Sequence, residues 1–328
     1  MSKDITNKKI LITGGLGFIG SNLTHRLVEQ GNTITVVDSL IPEYGGNLRN
    51  LHDIQDKITV SESDVRDVPA INNLIKGHDF LFNLAGQTSH LDSMHDPITD
   101  LDINAKAQLS ILEACRKYNP DIRIVFASTR QIYGKPKYLP VDEKHPLHPV
   151  DVNGINKIAG EQYHILYQEV YGIASSVLRL TNTYGPMMRI KDARQTFLGT
   201  WIRNLLEGKP IQVFGDGKQR RDYNYVEDVL DALMIAATEE KAIGKVYNLG
   251  APAPLNLEDT AKIMCQEIEG SDYQKIPFPD ERKAIDVGDF VCDYSAFRNQ
   301  FEWEPKVNFE EGIQRSLEYF KDEIEHYI

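Results

Sequence analysis

Short runs of apolar, mostly β-branched residues alternate with amphipathic stretches through the first half of the chain. The runs of two-residue period or continuous apolar character predict strands at residues 9–13, 33–37, 58–60, 80–84, 122–126 and 175–180. Helical periodicity predicts helices between them, at residues 21–30, 103–118 and 153–171. Strands that alternate with helices form right-handed parallel β-α-β units. The pattern therefore predicts an α/β protein with a doubly wound parallel sheet.

The pattern loosens after about residue 181, where glycine and proline interrupt it more often. This composition indicates a smaller C-terminal α/β lobe, and no linker rich in glycine, serine or proline separates it from the first half. We predict a larger domain over residues 1–180 and a smaller lobe over residues 181–328. Segments near residues 215–250 are expected to cross back to the larger domain.

Composition and charge exclude several classes of protein. The chain has 328 residues, of which 41% are hydrophobic and 26% charged, and its formal net charge is −12. This mix is typical of a folded protein, and the acidic balance disfavours nucleic acid or an anionic membrane as partner. The three cysteines are far apart and form no CxxC pair, so no metal site is expected. Sparse cysteines and a short N-terminal apolar run favour a cytoplasmic location.

A glycine-rich loop joins the first predicted strand to the first predicted helix. Gly14, Gly17 and Gly20 lie in this loop, and Asp38 closes the second strand. Glycines at this spacing let the backbone approach a pyrophosphate, which then lies at a helix N-terminus. A carboxylate after the second strand accepts hydrogen bonds from ribose hydroxyls and repels a 2′-phosphate. The sequence therefore predicts a Rossmann-type site for NAD rather than NADP.

Further motifs in a fixed order extend over nearly the whole chain. They are Asp64-Val65, Asn83-Leu84-Ala85-Gly86, Ser128-Thr129 before Ile132-Tyr133-Gly134, Lys157, Leu180-Thr181-Asn182 and Arg221-Asp222-Tyr223. With the glycine loop they resemble the extended short-chain dehydrogenase/reductase family, in its nucleotide-sugar epimerase/dehydratase branch. The resemblance implies that the larger lobe holds NAD and the smaller lobe a nucleoside diphosphate sugar. The residues expected to contact NAD are Gly14, Gly17, Phe18, Ile19, Gly20, Asp38, Asp64, Val65, Leu84, Ala85 and Lys157.

The resemblance also implies a reaction in which a hydride leaves the sugar, a keto sugar forms, and the hydride returns. Family members use a Ser or Thr hydroxyl, a Tyr base and a Lys four residues after the Tyr, on one helix face. Thr129 and Lys157 match the first and third of these residues. Asn153 stands where the family has tyrosine, and an amide has no proton that titrates near neutral pH.

Three interpretations of Asn153 follow. Another group supplies the base, or Asn153 is an engineered replacement, or the protein binds its ligands without turnover. The candidates for another base are His90, Asp92, Tyr163 and a water held by Asn153.

The side chains of Arg130 and Gln131 reduce the number of reactions that the resemblance allows. Dehydratases that resemble this chain carry an Asp-Glu pair at these positions, and decarboxylases carry a Glu at the second. Epimerisation at carbon 4 needs no additional acid, because the transient 4-keto sugar only has to rotate in the site and be reduced on its other face. We therefore favour a 4-epimerase. A 2-epimerase is the second alternative, because Leu84-Ala85-Gly86-Gln87 and the segment around residues 102–104 also resemble that subgroup. A 4,6-dehydratase and a non-catalytic binding protein are the others.

The resemblance also implies substrate contacts and an assembly. The residues expected to contact the nucleotide sugar are Gln87, Arg130, Gln131, Asn182, Arg221 and Arg282. The planar guanidinium of Arg221 suits paired phosphate oxygens. In relatives, the helix around residues 103–118 and the helix after residue 153 pair with their copies in a second chain, so a homodimer is expected.

Overall fold

The structure of the protein is a computed structural model that describes residues 4–328. Its strands, in chain order, are β1 Lys9–Thr13, β2 Thr33–Asp38, β3 Ile58–Glu62, β4 Phe80–Asn83, β5 Arg123–Thr129, β6 Ser175–Leu180, β7 Asn182–Tyr184, β8 Ile211–Phe214, β9 Arg220–Arg221, β10 Tyr223–Tyr225, β11 Val246–Leu249, β12 Leu255–Asn256 and β13 Tyr273–Ile276. Within the described residues, seven strands form one sheet in the order β11-β6-β5-β4-β1-β2-β3. Every pairing in this sheet is parallel.

The helices cover both faces of this sheet or pack beside it. They are α1 Phe18–Glu29, α2 Val68–Leu74, α3 His90–His95, α4 Pro97–Leu101, α5 Ala107–Tyr118, α6 Val152–Tyr171, α7 Phe197–Leu206, α8 Val226–Thr238, α9 Leu257–Gln266, α10 Asp280–Ala284, α11 Ser295–Phe301 and α12 Phe309–Glu323. Among these helices, none is both long and apolar enough to cross a lipid bilayer.

Alternate residues of each central strand pack into different cores, as a two-sided sheet requires. On β1, Ile10 and Ile12 pack in the core that contains α1 and α8. Leu11 points to the other side and packs with residues of α2, α5 and α6. All three side chains are fully buried, which explains the continuous apolar run. The α/β class with a doubly wound parallel sheet, predicted from the sequence, is confirmed.

The strand order places a crevice at the carboxyl ends of β1 and β4. Chain connections run outward in opposite directions from these two neighbouring strands, since β2 and β3 lie on one side and β5 and β6 on the other. In open α/β sheets, ligands bind where the strand order reverses in this way. The glycine loop follows β1 directly, so the fold brings it to this crevice.

The first two predicted helices differ from the structure at their ends. The helix predicted to begin at residue 21 begins at Phe18, with Gly17 as its N-cap, because the glycine loop leads into it without a spacer. The helix predicted over residues 103–118 is divided. A π-helical turn over Asp102–Lys106 precedes α5. Such a turn inserts an extra residue into the helical ladder and is frequent at functional sites.

Late segments of the chain contribute to both halves of the molecule. Strand β11 pairs with β6 at the edge of the large sheet, and α8 packs against α1, β5 and β6. Strands β8 and β13 form a separate parallel pair that packs against α9. The boundary between the two predicted lobes stays a prediction, but part of the crossing segment lies in the large sheet.

Candidate active site

A cavity of about 270 Å³ lies at the carboxyl ends of the central strands, beside the glycine loop. Gly14 has φ +69°, and a Cβ there would lie 2.9 Å from the backbone of Ala85. A Cβ on Gly20 would collide with the carbonyl oxygen of Gly14. The loop therefore has to be glycine, because the chain folds back on itself and passes close to the segment after β4.

The N-terminus of α1 points its free backbone N–H groups at this cavity. Gly17 is the N-cap, no side chain caps the helix, and the first turn contains no acidic residue. Gly17, Phe18, Ile19 and Gly20 all line the cavity. An uncapped helix N-terminus next to glycines is a favourable place for a phosphate anion.

Asp38 lies at the end of β2 with its carboxylate at the cavity wall. It accepts hydrogen bonds from the backbone N–H groups of Leu16, at 3.1 Å, and Leu40, at 3.0 Å. Burial raises the pKa of Asp38 above its usual value, and these N–H groups partly offset the effect. A Cβ on Gly46 would lie 2.6 Å from the carboxylate. A carboxylate held in this way keeps free lone pairs for a ribose hydroxyl, so the residues present fit a dinucleotide.

Asp64 and Val65 lie at the far end of the same cavity, after β3. The Asp64 carboxylate pairs with Arg66 at 2.7 Å. The hydrogen bond from Arg66 is the main reason that the pKa of Asp64 is below its ordinary value. Val65 is buried, and its role at an adenine ring stays a prediction.

The segment after β4 forms the opposite wall. The N–H groups of Leu84 and Ala85 both donate to Thr13 Oγ1 at 3.2 Å, which ties this segment to the end of β1. A Cβ on Gly86 would lie 3.0 Å from Lys157 Nζ. Glycine at position 86 therefore lets the lysine ammonium approach the chain closely.

Thr129, Asn153 and Lys157 come together at the inner end of the cavity. Thr129 ends β5, and its Oγ1 accepts the N–H of Gln131 at 3.2 Å. Lys157 Nζ donates to the carbonyl oxygen of Ala127 at 3.2 Å and lies 5.0 Å from the Phe126 ring centre. Burial lowers the pKa of Lys157 to about 8, although the nearby carboxylates of Asp100 and Glu161 favour the charged form.

The Asn153 amide is directed into the protein. Its Nδ2 donates to the carbonyl oxygen of Gln87 at 2.7 Å and to Asp100 Oδ2 at 3.1 Å. Asp100 is fully buried and also accepts from the amides of Asn104, at 3.0 Å, and Asn156, at 2.7 Å. Three asparagine side chains thus surround one buried carboxylate beside the lysine. The sequence analysis did not find Asp100, because two of these three partners are on α6, 53 and 56 residues further along the chain.

A second cavity, of about 470 Å³, adjoins the first. Arg221 and Arg282 line it, together with the aromatic side chains Phe214 and Phe278, whose ring centres are 5.6 Å apart. Six residues line both cavities: His90, Arg130, Gln131, Asn182, Gln195 and Thr196. The two cavities therefore meet at the predicted substrate residues.

Four arginine side chains, including those of Arg130 and Arg221, line the second cavity. Arg221 is buried, and its Nη1 donates to the carbonyl oxygens of Arg220, at 2.8 Å, and Gly288. Arg130 Nη2 is 3.4 Å from Asn182 Oδ1, whereas its buried Nη1 has no hydrogen-bond partner in residues 4–328. Burial, reinforced by Arg221, lowers the pKa of Arg130 to about 10. An unpartnered buried donor of this kind favours an anionic or oxygen-rich ligand.

Comparison with known proteins agrees with this geometry. The sequence model of the NAD dependent epimerase/dehydratase family matches residues 10–250. The chain belongs to this family. NAD is the cofactor of the family, and the residues of the first cavity fit it.

Relatives of this family member differ in the reactions for which they are named. A Methanocaldococcus jannaschii protein, provisionally named UDP-glucose 4-epimerase, is 32% identical, and the match covers 95% of this chain and 98% of the relative. UDP-glucuronic acid decarboxylase 1 of Xenopus tropicalis is 29% identical over 97% of this chain and 73% of the relative. The UDP-glucose 4-epimerase of Thermotoga maritima, solved with UDP-glucose, is 30% identical and has a TM-score of 0.88, over 96% of this chain and 99% of that chain.

The structure brings every residue of the predicted site into one of the two cavities. The first cavity is lined by Gly14, Gly17, Phe18, Ile19, Gly20, Asp38, Asp64, Val65, Leu84, Ala85, Gln87, Thr129, Asn153 and Lys157, and by the shared residues Arg130, Gln131 and Asn182. Arg221 and Arg282 line the second. This placement makes the predicted roles possible, and the roles themselves stay predictions. In residues 4–328, no group of His, Cys, Asp and Glu is arranged to hold a metal ion.

A network of buried polar side chains lies next to Thr129 and Lys157 of this epimerase/dehydratase site. Glu161 pairs with Arg179 at 2.7 Å and accepts a hydrogen bond from Ser128, the residue before Thr129. Arg179 Nη1 donates to the Tyr133 hydroxyl at 2.6 Å, and Tyr133 in turn donates to Asn248 at 2.6 Å. The network joins the end of β5 to α6, β6 and β11, so it holds Thr129 and Lys157 in fixed relative positions.

Proposed function

We propose that the protein is an NAD-dependent 4-epimerase of a nucleoside diphosphate sugar. The observation that carries the proposal is the junction of the two cavities. A cavity suited to NAD meets a cavity lined by arginines, and Arg130, Gln131 and Asn182 border both. A diphosphate on the arginines would extend its sugar towards Thr129 and Lys157. This arrangement suits a sugar that is oxidised and reduced without leaving the site.

Bound NAD would supply the chemistry of accepting a hydride from the sugar and returning it. The chain's own residues bind and orient the sugar. The Thr129 hydroxyl can donate to the sugar oxygen on which charge develops. The buried Lys157 ammonium would hold the nicotinamide ribose and stabilise negative charge nearby.

The side chains at positions 130 and 131 favour epimerisation over loss of water or carbon dioxide. Neither Arg130 nor Gln131 can act as a carboxylic acid. Three carboxylates do line the second cavity, but each lies beside an arginine. Asp92 pairs with Arg194 at 2.8 Å, Asp192 with Arg189 at 2.6 Å, and Asp286 lies 3.6 Å from Arg221. Burial raises the pKa of Asp192, but the contacts with Arg189 and Arg194 outweigh it and lower the pKa below its ordinary value, so this carboxylate is a poor general acid.

A homodimer is part of the proposal. The exposed side of α6 carries large apolar side chains at Ile155, Leu166 and Val170, each about half exposed. Such a row on a long helix suits pairing with a second copy. Light scattering on the purified chain measures the mass: twice the chain mass supports the homodimer, and the single-chain mass contradicts it.

Proton NMR in D₂O tests the proposed reaction. The protein is mixed with NAD and, one at a time, with UDP-, dTDP-, GDP- and CDP-sugars. We expect a new anomeric signal for at least one sugar, with no deuterium on any carbon, because the hydride that leaves carbon 4 returns to it.

Other products would contradict the proposed 4-epimerase activity and indicate a different function. Deuterium at carbon 5 with loss of the carbon 6 hydroxyl would indicate a dehydratase, and inversion at carbon 2 instead of carbon 4 would indicate a 2-epimerase. No change in any sugar, with NAD bound, would indicate a binding protein.

A further inference from the structure

The proposed reaction needs a group that takes the proton from the sugar hydroxyl, and Asn153 cannot take it. An amide does not accept a proton near neutral pH. In addition, Asn153 Nδ2 is already engaged by the Gln87 carbonyl and the Asp100 carboxylate. The base must therefore come from another side chain at the junction of the cavities.

His90, the first residue of α3, is the titratable imidazole at this junction. It lines both cavities, and about a third of its side chain is exposed. Its Nδ1 atom lies 3.1 Å from Asp151 Oδ2. Nδ1 is buried, and its present angle to Asp151 falls outside hydrogen-bond geometry. Catalytic hydrogen bonds are often poorly aligned before ligands bind, and they tighten in the complex.

Asp151 is held firmly for this contact. It is the N-cap of α6, and its Oδ1 accepts the N–H of Gly154 at 2.7 Å. Its Oδ2 accepts the side-chain amide of Gln131 at 2.7 Å. Burial by itself raises the pKa of Asp151, but the contacts with His90, Gly154 and Gln131 outweigh it and lower the pKa below its usual value. The group is therefore a carboxylate at neutral pH.

A carboxylate beside Nδ1 decides which ring nitrogen carries the proton. It favours the neutral tautomer with hydrogen on Nδ1, and it stabilises the imidazolium when a second proton arrives. Nε2 is on the other side of the ring from Asp151 and keeps its lone pair. The pair therefore has the arrangement of a general base and its orienting acid.

We propose that His90, oriented by Asp151, is the general base of the reaction in place of the missing tyrosine. The inference rests on the proposed function. As the sugar C4–H bond breaks, the hydride passes to oxidised NAD and the hydroxyl proton passes to His90 Nε2, so a carbonyl forms at C4. In the reverse direction on the other face, the hydride returns to C4 and the imidazolium returns the proton to the oxygen. Protons and electrons balance over the cycle.

The other candidates for the base are placed less well. Tyr163 packs against the apolar core between α5 and α6 and lines neither cavity. The Asp92 carboxylate is paired with Arg194. A water held by Asn153 would bind the amide oxygen, because Nδ2 is directed at two protein acceptors, and a neutral amide oxygen cannot take a proton from the water to make it a base.

The charges around His90 come from its own helix and from the elements that face it. They are Asp92 on α3, Asp100 on α4, Asp151 and Lys157 at α6, Arg130 after β5, and Arg194 before α7. Asp151 contacts the imidazole ring, at 3.1 Å from Nδ1. Replacement of Asp151 by asparagine therefore removes the carboxylate that orients the ring and leaves the other five charges unchanged.

A pair of matched histidine variants tests the role of His90. His90→Gln should lower the turnover number about 10²- to 10⁴-fold, which is the usual contribution of a general base, and should leave NAD affinity unchanged. His95→Gln is the control, because His95 is on the same helix, is exposed and lines neither cavity. It should turn over like the unmodified protein. The sugar used is whichever member of the nucleotide-sugar panel the unmodified protein converts.

The role of Asp151 as a positioning residue is tested by Asp151→Asn. Asparagine keeps the N-cap of α6, so the helix start is preserved. Nitrogen-15 NMR of the histidine rings should show that His90 changes from the Nδ1–H to the Nε2–H tautomer, because the carboxylate that favours hydrogen on Nδ1 is gone. A purely structural role would lower activity without changing the tautomer. An unchanged tautomer would overturn this part of the proposal.

Two results would overturn the role of His90 and separate it from the proposed reaction. If His90→Gln turns over like the unmodified protein, the epimerase proposal stands and the base is another group. If no sugar of the panel is converted, the proposed function fails. Nitrogen-15 NMR of the histidine rings, with NAD bound, then tests the pair itself. We expect the Nδ1–H tautomer at His90, and the Nε2–H tautomer would contradict the proposal.

Discussion

The two cavities are built in different ways. Five glycines, which expose main chain, line the first, in short segments at the ends of strands such as residues 14–20 and 84–88. No glycine lines the second within the described residues, and its lining extends from Ser89 to Val287. Main-chain surface keeps its shape whatever the neighbouring side chains are, whereas side-chain surface can be altered by single substitutions. The first cavity therefore suits a cofactor shared across a family, and the second suits a substrate that differs between members.

The two cavities also differ in charge. The first offers the free N–H groups of α1, the two carboxylates of Asp38 and Asp64, and the ammonium of Lys157. The second holds several guanidinium groups, whose carboxylate partners balance only part of the charge. Arginine binds phosphate oxygens through paired hydrogen bonds, so this cavity suits a diphosphate. The comparison predicts that cofactor and substrate affinity can be lost separately.

The largest effect is expected at the inner end of the first cavity. Lys157→Met removes the buried ammonium, so the turnover number should fall about 10³-fold. The measurement is conversion of a nucleotide sugar by NMR. Lys106→Met is the control, because Lys106 is exposed and pairs only with Asp102 on its own helix turn. A Lys157→Met protein that keeps a tenth of the activity would contradict the assignment of this lysine.

The second prediction tests whether a change in the first cavity lowers NAD affinity. Gly20→Ala forces a Cβ against the Gly14 carbonyl, so the loop must open and NAD affinity should fall about 100-fold. Titration with NAD measures this loss. Gly31→Ala, just after the other end of α1, has φ +79° and no atom within 4 Å of the added Cβ. It should lower the melting temperature through backbone strain and leave NAD affinity unchanged.

The third prediction tests whether a change in the second cavity lowers affinity for the nucleotide and leaves NAD affinity unchanged. Arg221→Gln should weaken binding of UDP about tenfold or more, since a charged hydrogen-bond donor is lost, and should not change NAD affinity. Arg220→Gln is the matched control, because Arg220 is exposed and pairs with Asp289. Calorimetry with UDP measures both. Equal losses in the two variants, or a loss of NAD binding in Arg221→Gln, would show that the cavities are not separate in function.

The smallest effect concerns pH. The pKa of Lys157 is lowered to about 8 by burial, so the ammonium is present below that pH and is lost above it. The rate of epimerisation should therefore decline on the alkaline side with a midpoint near pH 8, about tenfold per unit beyond it. Lys157→Arg should move this limb to higher pH, because a guanidinium stays charged. A rate that stays constant to pH 10 would contradict the role of the lysine charge.

The glycine loop and Asp38 of the first cavity could be predicted from the sequence, and the pairs at the junction of the cavities could not. Gly14, Gly17, Gly20 and Asp38 lie at fixed distances along one β-α-β unit, so local spacing predicts their meeting. His90 and Asp151 are about sixty residues apart, and their contact depends on how α3 packs against the start of α6. The sequence analysis considered His90 as a base, but it had no signal for Asp151.

The sequence by itself determined the α/β class with a doubly wound parallel sheet, the glycine loop and Asp38 that line the first cavity, and the absence of the usual tyrosine at position 153. Each of these depends on residues that are neighbours along the chain or that repeat with the period of a strand or helix. Only the tertiary structure decided which groups surround Asn153. It also decided that three asparagine amides donate hydrogen bonds to the Asp100 carboxylate, and that Asp151 lies next to His90. These contacts join distant segments, and their geometry follows from the packing of whole helices rather than from any local pattern.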